Sequence, residues 1–98
     1  MNRSEILKIL KQHEGALKEQ GVAHAALFGS VARGDQKQTS DIDVMIDISP
    51  DSKMDLFSYV GVVQYIESLF DVKVDVANHA GLKPFIRANV ERDAIYAF

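Results

Sequence analysis

From Asp41 to Ile48 the chain reads Asp-Ile-Asp-Val-Met-Ile-Asp-Ile, with apolar residues at every even position and acidic ones at three of the four odd ones. A period of two is the mark of a strand with one buried face. Ser49-Pro50 closes it, because proline has no N–H to give a ladder. On such a strand Asp41 and Asp43 lie on one side while Ile42 between them enters the core. A fold built around this segment must therefore expose two carboxylates next to each other on a sheet.

The rest of the chain supplies the partners of that strand. Ile6, Leu7, Leu10 and Leu17 recur at helical spacing, which predicts a helix over 4–20 with Ser4 as N-cap and Gly21 at its C-terminal end. Residues 23–28 form a short apolar run ending at Gly29, read as a buried strand. Residues 29–40 are rich in Gly, Gln, Ser and Thr and read as a turn, a short helical piece and a loop. A second helix is expected over 55–69, a strand over 73–77, and a last helix over 82–92 with Pro84 in its first turn. The expected fold class is α/β: a small, mixed, three-stranded sheet flanked by helices, in one domain over 1–98.

The strand over 73–77 carries a third acid. Asp75 stands between Val74 and Val76 with the same alternation. If the two strands are neighbours, Asp41, Asp43 and Asp75 converge on one side of the sheet. Two carboxylates about 4 Å apart repel by roughly 4 kcal/mol at an effective dielectric near 20, and a divalent cation reverses that cost. Hard oxygen ligands without His or Cys favour magnesium or manganese over zinc. A carboxylate pair bridging two ions is the arrangement that activates an attacking oxygen and holds a triphosphate.

The loop before the acids offers the complementary half. Gly29 lets the backbone approach a phosphate closely, and the Ser30 hydroxyl and following amides can donate to its oxygens. Arg33, one short turn later, can bring charge to the same phosphates, although an ion pair with Asp35 or Asp41 would also account for it. Other phosphate and metal motifs fail on single residues. Gly29 and Gly34 have the spacing of a P-loop, but Asp35-Gln36 stands where Lys-Ser/Thr is required. Asp41 and Asp43 open like an EF-hand, yet Met45 and Ser52 occupy ligand positions. Zinc patterns are absent, since the chain has no cysteine and its histidines are scattered.

Taken together, Gly29-Ser30-Val31-Ala32-Arg33-Gly34, Ser40-Asp41-Ile42-Asp43-Val44 and Val74-Asp75-Val76 resemble the signature of the DNA-polymerase-β-like nucleotidyltransferase superfamily, and most of all its minimal nucleotidyltransferase (MNT) branch. The resemblance implies a polymerase-β-like palm. It implies that Asp41 and Asp43 bind two magnesium ions, that Asp75 completes the metal site and helps deprotonate an acceptor hydroxyl, and that Gly29 and Ser30 hold the triphosphate of ATP. Many members of the branch are antitoxins paired with a helical HEPN-family ribonuclease toxin, which they neutralise by moving AMP to a tyrosine. That setting implies the same partner and reaction for this chain.

Composition narrows the acceptor. A net charge of −3 without any basic run does not suit a long polynucleotide, whose binding depends on Lys and Arg neutralising phosphates. Ninety-eight residues, 47% of them hydrophobic, give one core and bury roughly 60–65% of the unfolded chain's surface. That is too little to wrap a small acceptor unaided, so a protein acceptor is expected. Two other readings stay open: a non-catalytic antitoxin that acts by binding, and a small-molecule transferase completed by a homo-oligomer or separate subunit. The absence of cysteine, of a signal-like N-terminus and of any long apolar run leads to the expectation of a cytoplasmic protein with no membrane contact.

A few residues are read as ordinary. Asp47 shares the strand face of Asp43 but lies about 13 Å further along, too far for the same metal, and is expected to be solvated. Ser40 either touches phosphate or simply opens the strand. His13, His24 and His79 have no partner pattern. The second helix is apolar over a wide arc, which fits either a helix sandwiched within its own domain or one that meets a protein partner. The apolar tail 94–98 is expected to behave likewise.

Overall fold

The computed structural model describes residues 1–35 and 41–98. Helices α1 (Arg3–Gln12) and α2 (Glu14–Glu19) lead into strand β1 (Val22–Phe28) and a five-residue helix α3 (Gly29–Arg33). Strand β2 (Ile42–Ile48), helix α4 (Leu56–Ser68) and strand β3 (Val74–Asn78) follow. A 3-10 turn (His79–Gly81), helix α5 (Pro84–Asp93) and the short strand β4 (Ile95–Tyr96) complete the described chain.

The sheet order is β3-β2-β1-β4. β1 runs antiparallel to β2 and to β4, whereas β2 and β3 are parallel. The parallel pair requires a crossover, and α4 is that crossover. The sheet thus has one more strand than its alternating segments suggested. Tyr96 and Ile95 of the apolar tail pair with Ala26 and Leu27, so this part of the tail belongs to the sheet.

The alternation in β2 sorts the two faces as expected. Ile42, Val44 and Ile46 join Ile6, Leu10, Leu17, Val62 and Ile66 in the main core, beneath α1, α2 and α4. Met45 turns to the opposite face and packs with Ala26 and Val90 under α5. In β1 a bulge sets two residues against one between Val22 and His24. The extra residue changes the parity of the strand, so Val22 and Ala25, three apart, both reach the main core.

Two helical expectations are corrected. The N-terminal segment is two helices, because His13 leaves helical geometry (φ −100°, ψ 12°). Gly15, a weak helix former, follows closely, and the His13 ring meets the Tyr65 hydroxyl on α4. The N-cap is Asn2, not Ser4. Its side-chain oxygen accepts from the Glu5 amide at 2.9 Å, and the Asn2 amide donates in turn to Glu5 Oε1 at 3.4 Å, forming a capping box.

Helix α4 resolves into two halves. Asp55 caps it by accepting from the Ser58 amide at 2.8 Å. Val62 and Ile66 are buried and Tyr59, Tyr65 and Leu69 pack around the core. Leu56 (73%), Phe57 (87%) and Val60 (43%) are exposed, so the surplus apolar arc is confined to the N-terminal half. Among the described residues, no helix is long and apolar enough to cross a membrane.

Candidate active site

The core residues that bury one face of β2 and β3 also align the acids on the other. Ile42 pairs with Val74 and Val44 with Val76, which sets Asp43 directly across from Asp75. Asp41 precedes β2 and, two residues before Asp43, shares its side of the strand. Among the described residues, the three acids expected to act together are therefore neighbours at one end of the sheet.

Asp43 is half-buried, whereas Asp75 is exposed. Burial pushes its carboxyl above the usual range, with the charges of Asp75 and then Asp41 adding to the rise, while Arg33 opposes it. The site thus stores repulsion that a cation would relieve. Lys73 already answers part of it: its ammonium lies 3.8 Å from Asp41 Oδ2 and 3.9 Å from Asp75 Oδ1.

Beneath Asp43 lies the start of α3. Gly29 adopts φ +74°, and a Cβ built on it would collide with Asp43 Oδ2. The residue is glycine for two separate reasons, a left-handed backbone and the space taken by the carboxylate. Phe28, at the N-cap, offers no side-chain cap, so the first amides of α3 keep donors available to an anion. Ser30 is the second residue of this helix and half-buried. Its own carbonyl accepts from the Asp35 amide at 3.1 Å.

Arg33 stands at the rim with its guanidinium engaged. It donates to Asp93 Oδ2 at 2.8 Å and to Asp35 Oδ2 at 3.2 Å, tying α3 to the end of α5. The ion pair foreseen for it forms with Asp35, and Asp93 joins from 60 residues away. Ser40 lies outside the described residues.

The donor set suits a hard divalent cation: carboxylate oxygens, mutually repelling, on an accessible surface. Among the described residues, no group of three or more His, Cys, Asp or Glu side chains is arranged to hold a metal ion by itself.

Two residues need a different account from the one their sequence suggested. Asp47 is not simply solvated: it accepts from His79 Nδ1 at 2.6 Å, and the Tyr96 hydroxyl donates to it at 3.4 Å. The other ring nitrogen of His79 meets Glu91 Oε2 at 2.6 Å, so the imidazole bridges β2 and α5. Both carboxylates raise its pKa, Glu91 first. No spacing rule links positions 47, 79 and 91; only the fold joins them. Lys73 was also missed as a member of the site, though its place two residues before Asp75 was a usable signal.

Against this geometry, the chain matches the nucleotidyltransferase domain family over residues 3–97. The chain belongs to that family. It is similar to a candidate protein adenylyltransferase of Methanocaldococcus jannaschii, 36% identical over 95 residues covering 95% of each chain. It is also similar to the protein adenylyltransferase MntA of Thermococcus cleftensis, 33% identical over 93 residues, 94% of this chain and 92% of that one. Among solved structures, that of a candidate minimal nucleotidyltransferase aligns with a TM-score of 0.72 at 29% identity, covering 97% of this chain and 95% of the other. A chain from the complex of the tri-AMPylated Shewanella oneidensis HEPN toxin with an MNT antitoxin shares the fold, with a TM-score of 0.64 at 16% identity over 94% of this chain and 71% of that one. The chain is thus an MNT-type nucleotidyltransferase, and the expected α/β palm is the fold it has.

Proposed function

We propose that this protein transfers AMP from ATP to a hydroxyl of a protein acceptor, and that it serves as the antitoxin of a HEPN/MNT pair in the cytoplasm. The observation that carries this reading is the pairing of Asp43 with Asp75 across β2 and β3, with Asp41 on the same face and Gly29 packed beneath. The acceptor class rests on relatives named as protein adenylyltransferases that match this chain over more than nine-tenths of its length, and on the resemblance to the MNT branch.

Asp41 and Asp43, with Asp75, would hold two Mg2+ ions, or Mn2+ in their place. Bound there, the ions would neutralise the triphosphate and sharpen the electrophilicity of its α-phosphorus. Gly29 admits the phosphates close to the backbone, and the Ser30 hydroxyl and early α3 amides donate to their oxygens. Arg33 joins them once it lets go of Asp35 or Asp93. Asp75, the most exposed of the three acids, takes the proton of the acceptor hydroxyl. That oxygen forms a bond to the α-phosphorus, the bond from the α-phosphorus to the β-phosphate oxygen breaks, and pyrophosphate leaves.

The test is to incubate the protein with Mg-ATP and a purified HEPN-type toxin protein, then measure the intact mass of the latter. Mass increments of AMP that appear with the native chain and vanish with Asp43→Asn are expected. An unmodified toxin that is nonetheless bound and silenced would overturn the transfer reading in favour of an antitoxin that only binds.

A further inference from the structure

The acidic face contains a fourth member. The Ile42 amide donates to the Lys73 carbonyl at 3.0 Å, at the start of the parallel ladder in which Ile42 pairs with Val74. One rung earlier, Lys73 therefore stands beside Asp41, as Asp75 stands beside Asp43. Residues two apart on a strand share a face, so Asp41, Asp43, Lys73 and Asp75 are the four corners of one patch. The backbone register brings the lysine there, and a side-chain rotation alone would not.

Its contacts are even-handed and loose. The ammonium is 3.8 Å from Asp41 and 3.9 Å from Asp75, and the side chain is 70% exposed. Neither distance is that of a tight charge-assisted hydrogen bond. An exposed ion pair of this kind is cheap to break, and the four-carbon stem lets the head swing clear without disturbing β3. Among the described residues, Arg33, the other cation near these acids, is taken up by Asp93 and Asp35. Among the described residues, Lys73 is thus the cation that two of the three proposed metal ligands touch.

We propose that Lys73 is a positioning residue that acts as a resident counter-ion: it holds the carboxylates together in the metal-free protein and competes with the incoming divalent cation. Metal binding exchanges one positive charge for two at the same oxygens, so the lysine sets the metal concentration at which the site fills. This rests on the assignment of Asp41, Asp43 and Asp75 as metal ligands. Removing a unit charge about 4 Å from the ligands, in surroundings between protein and water, should tighten divalent binding by about five- to tenfold.

The experiment is a titration of the full chain with Mn2+ in the absence of nucleotide, followed by the electron paramagnetic resonance signal of free Mn2+. Native protein, Lys73→Met, Lys73→Arg and Asp43→Asn are compared. The inference expects Lys73→Met to bind about five- to tenfold tighter than the native chain, and Lys73→Arg, which restores the charge, to return to within about twofold of it. A second readout is thermal unfolding: Lys73→Met should melt below the native protein in EDTA, where the acids repel unscreened, and lose that deficit at saturating Mn2+. Unchanged or weaker Mn2+ binding by Lys73→Met, with Asp43→Asn clearly impaired, would overturn the role of the lysine alone. Native protein that binds Mn2+ no better than Asp43→Asn would remove the metal assignment, and this inference with it.

Discussion

The carboxylate of Asp43 occupies the space that a side chain on Gly29 would need, so the turn that opens α3 and the acidic strand are fitted to each other atom against atom. Gly29→Ala must both hold an L-residue at φ +74°, which costs about 1–2 kcal/mol, and push Asp43 away. The expected result is a lower melting temperature together with weaker Mg-ATP binding. Calorimetry and a thermal melt on the same sample check it. A variant that melts lower yet binds Mg-ATP normally would show that the packing is structural only.

Asp43→Asn should remove transfer by about 10³-fold or more, equivalent to about 4 kcal/mol of barrier, while making the metal-free protein more stable. The folded carboxyl has a raised pKa. Ionising it therefore costs the native state, and stability falls as pH rises from the ordinary carboxylate range through the folded value. In asparagine that penalty is gone. Melts in EDTA across acid to neutral pH should show the variant gaining on the native chain as pH rises; parallel curves would refute the raised pKa.

The His79 bridge follows pH in the same direction, but as a stabilising contact that is lost and not as a penalty that is gained. Its pKa is raised by Glu91 and Asp47, so its stabilising contribution is complete below the usual imidazole value and disappears as pH rises through the higher folded value. His79→Gln should cost about 1–2 kcal/mol in mildly acid solution and much less at alkaline pH. That corresponds to roughly 4–16 °C of melting temperature at the acid end. A deficit independent of pH would mean the ring acts by packing alone.

Saturating Mg-ATP at about 100 times its dissociation constant adds roughly 2.7 kcal/mol, a rise on the order of 10 °C or more for a domain of this size. Scanning fluorimetry should show it for the native chain, and it should vanish in EDTA. A rise that persists in EDTA would point to nucleotide binding without metal.

On α4, Phe57→Ser should change stability by less than about 0.5 kcal/mol, because the ring is almost fully exposed. Val62→Ala, in the buried half, should cost about 1–3 kcal/mol. Chemical denaturation distinguishes the two. Equal losses would mean the N-terminal half of the helix is covered after all.

The strand-borne half of the site was legible because its signal is local. Asp41, Asp43 and Asp75 sit at alternate positions among branched apolar residues, and a period of two fixes the face on which each lies. What stayed hidden depends on chain segments meeting. Tyr96 and Ile95 read as a loose apolar tail because a two-residue strand has no period to detect, and its hydrogen-bonding partner lies some seventy residues earlier. The Asp47–His79–Glu91 bridge joins three elements whose spacing follows no repeat. The break at His13 is obscured by leucines that keep helical spacing across it, and Ser4 competes as a start signal with the capping box of Asn2 and Glu5.

The parallel pairing of β2 with β3 places the ligands of one proposed metal centre on stretches of chain that meet only after α4 has crossed over the sheet. A slip of one residue in that pairing would exchange Asp75 for a valine and send a carboxylate into the core. Misaligned molecules therefore lose cohesion and chemistry in the same event. A centre built this way would be an internal inspector of assembly: any copy able to react would already have closed its longest connection correctly, and half-folded copies would be silent.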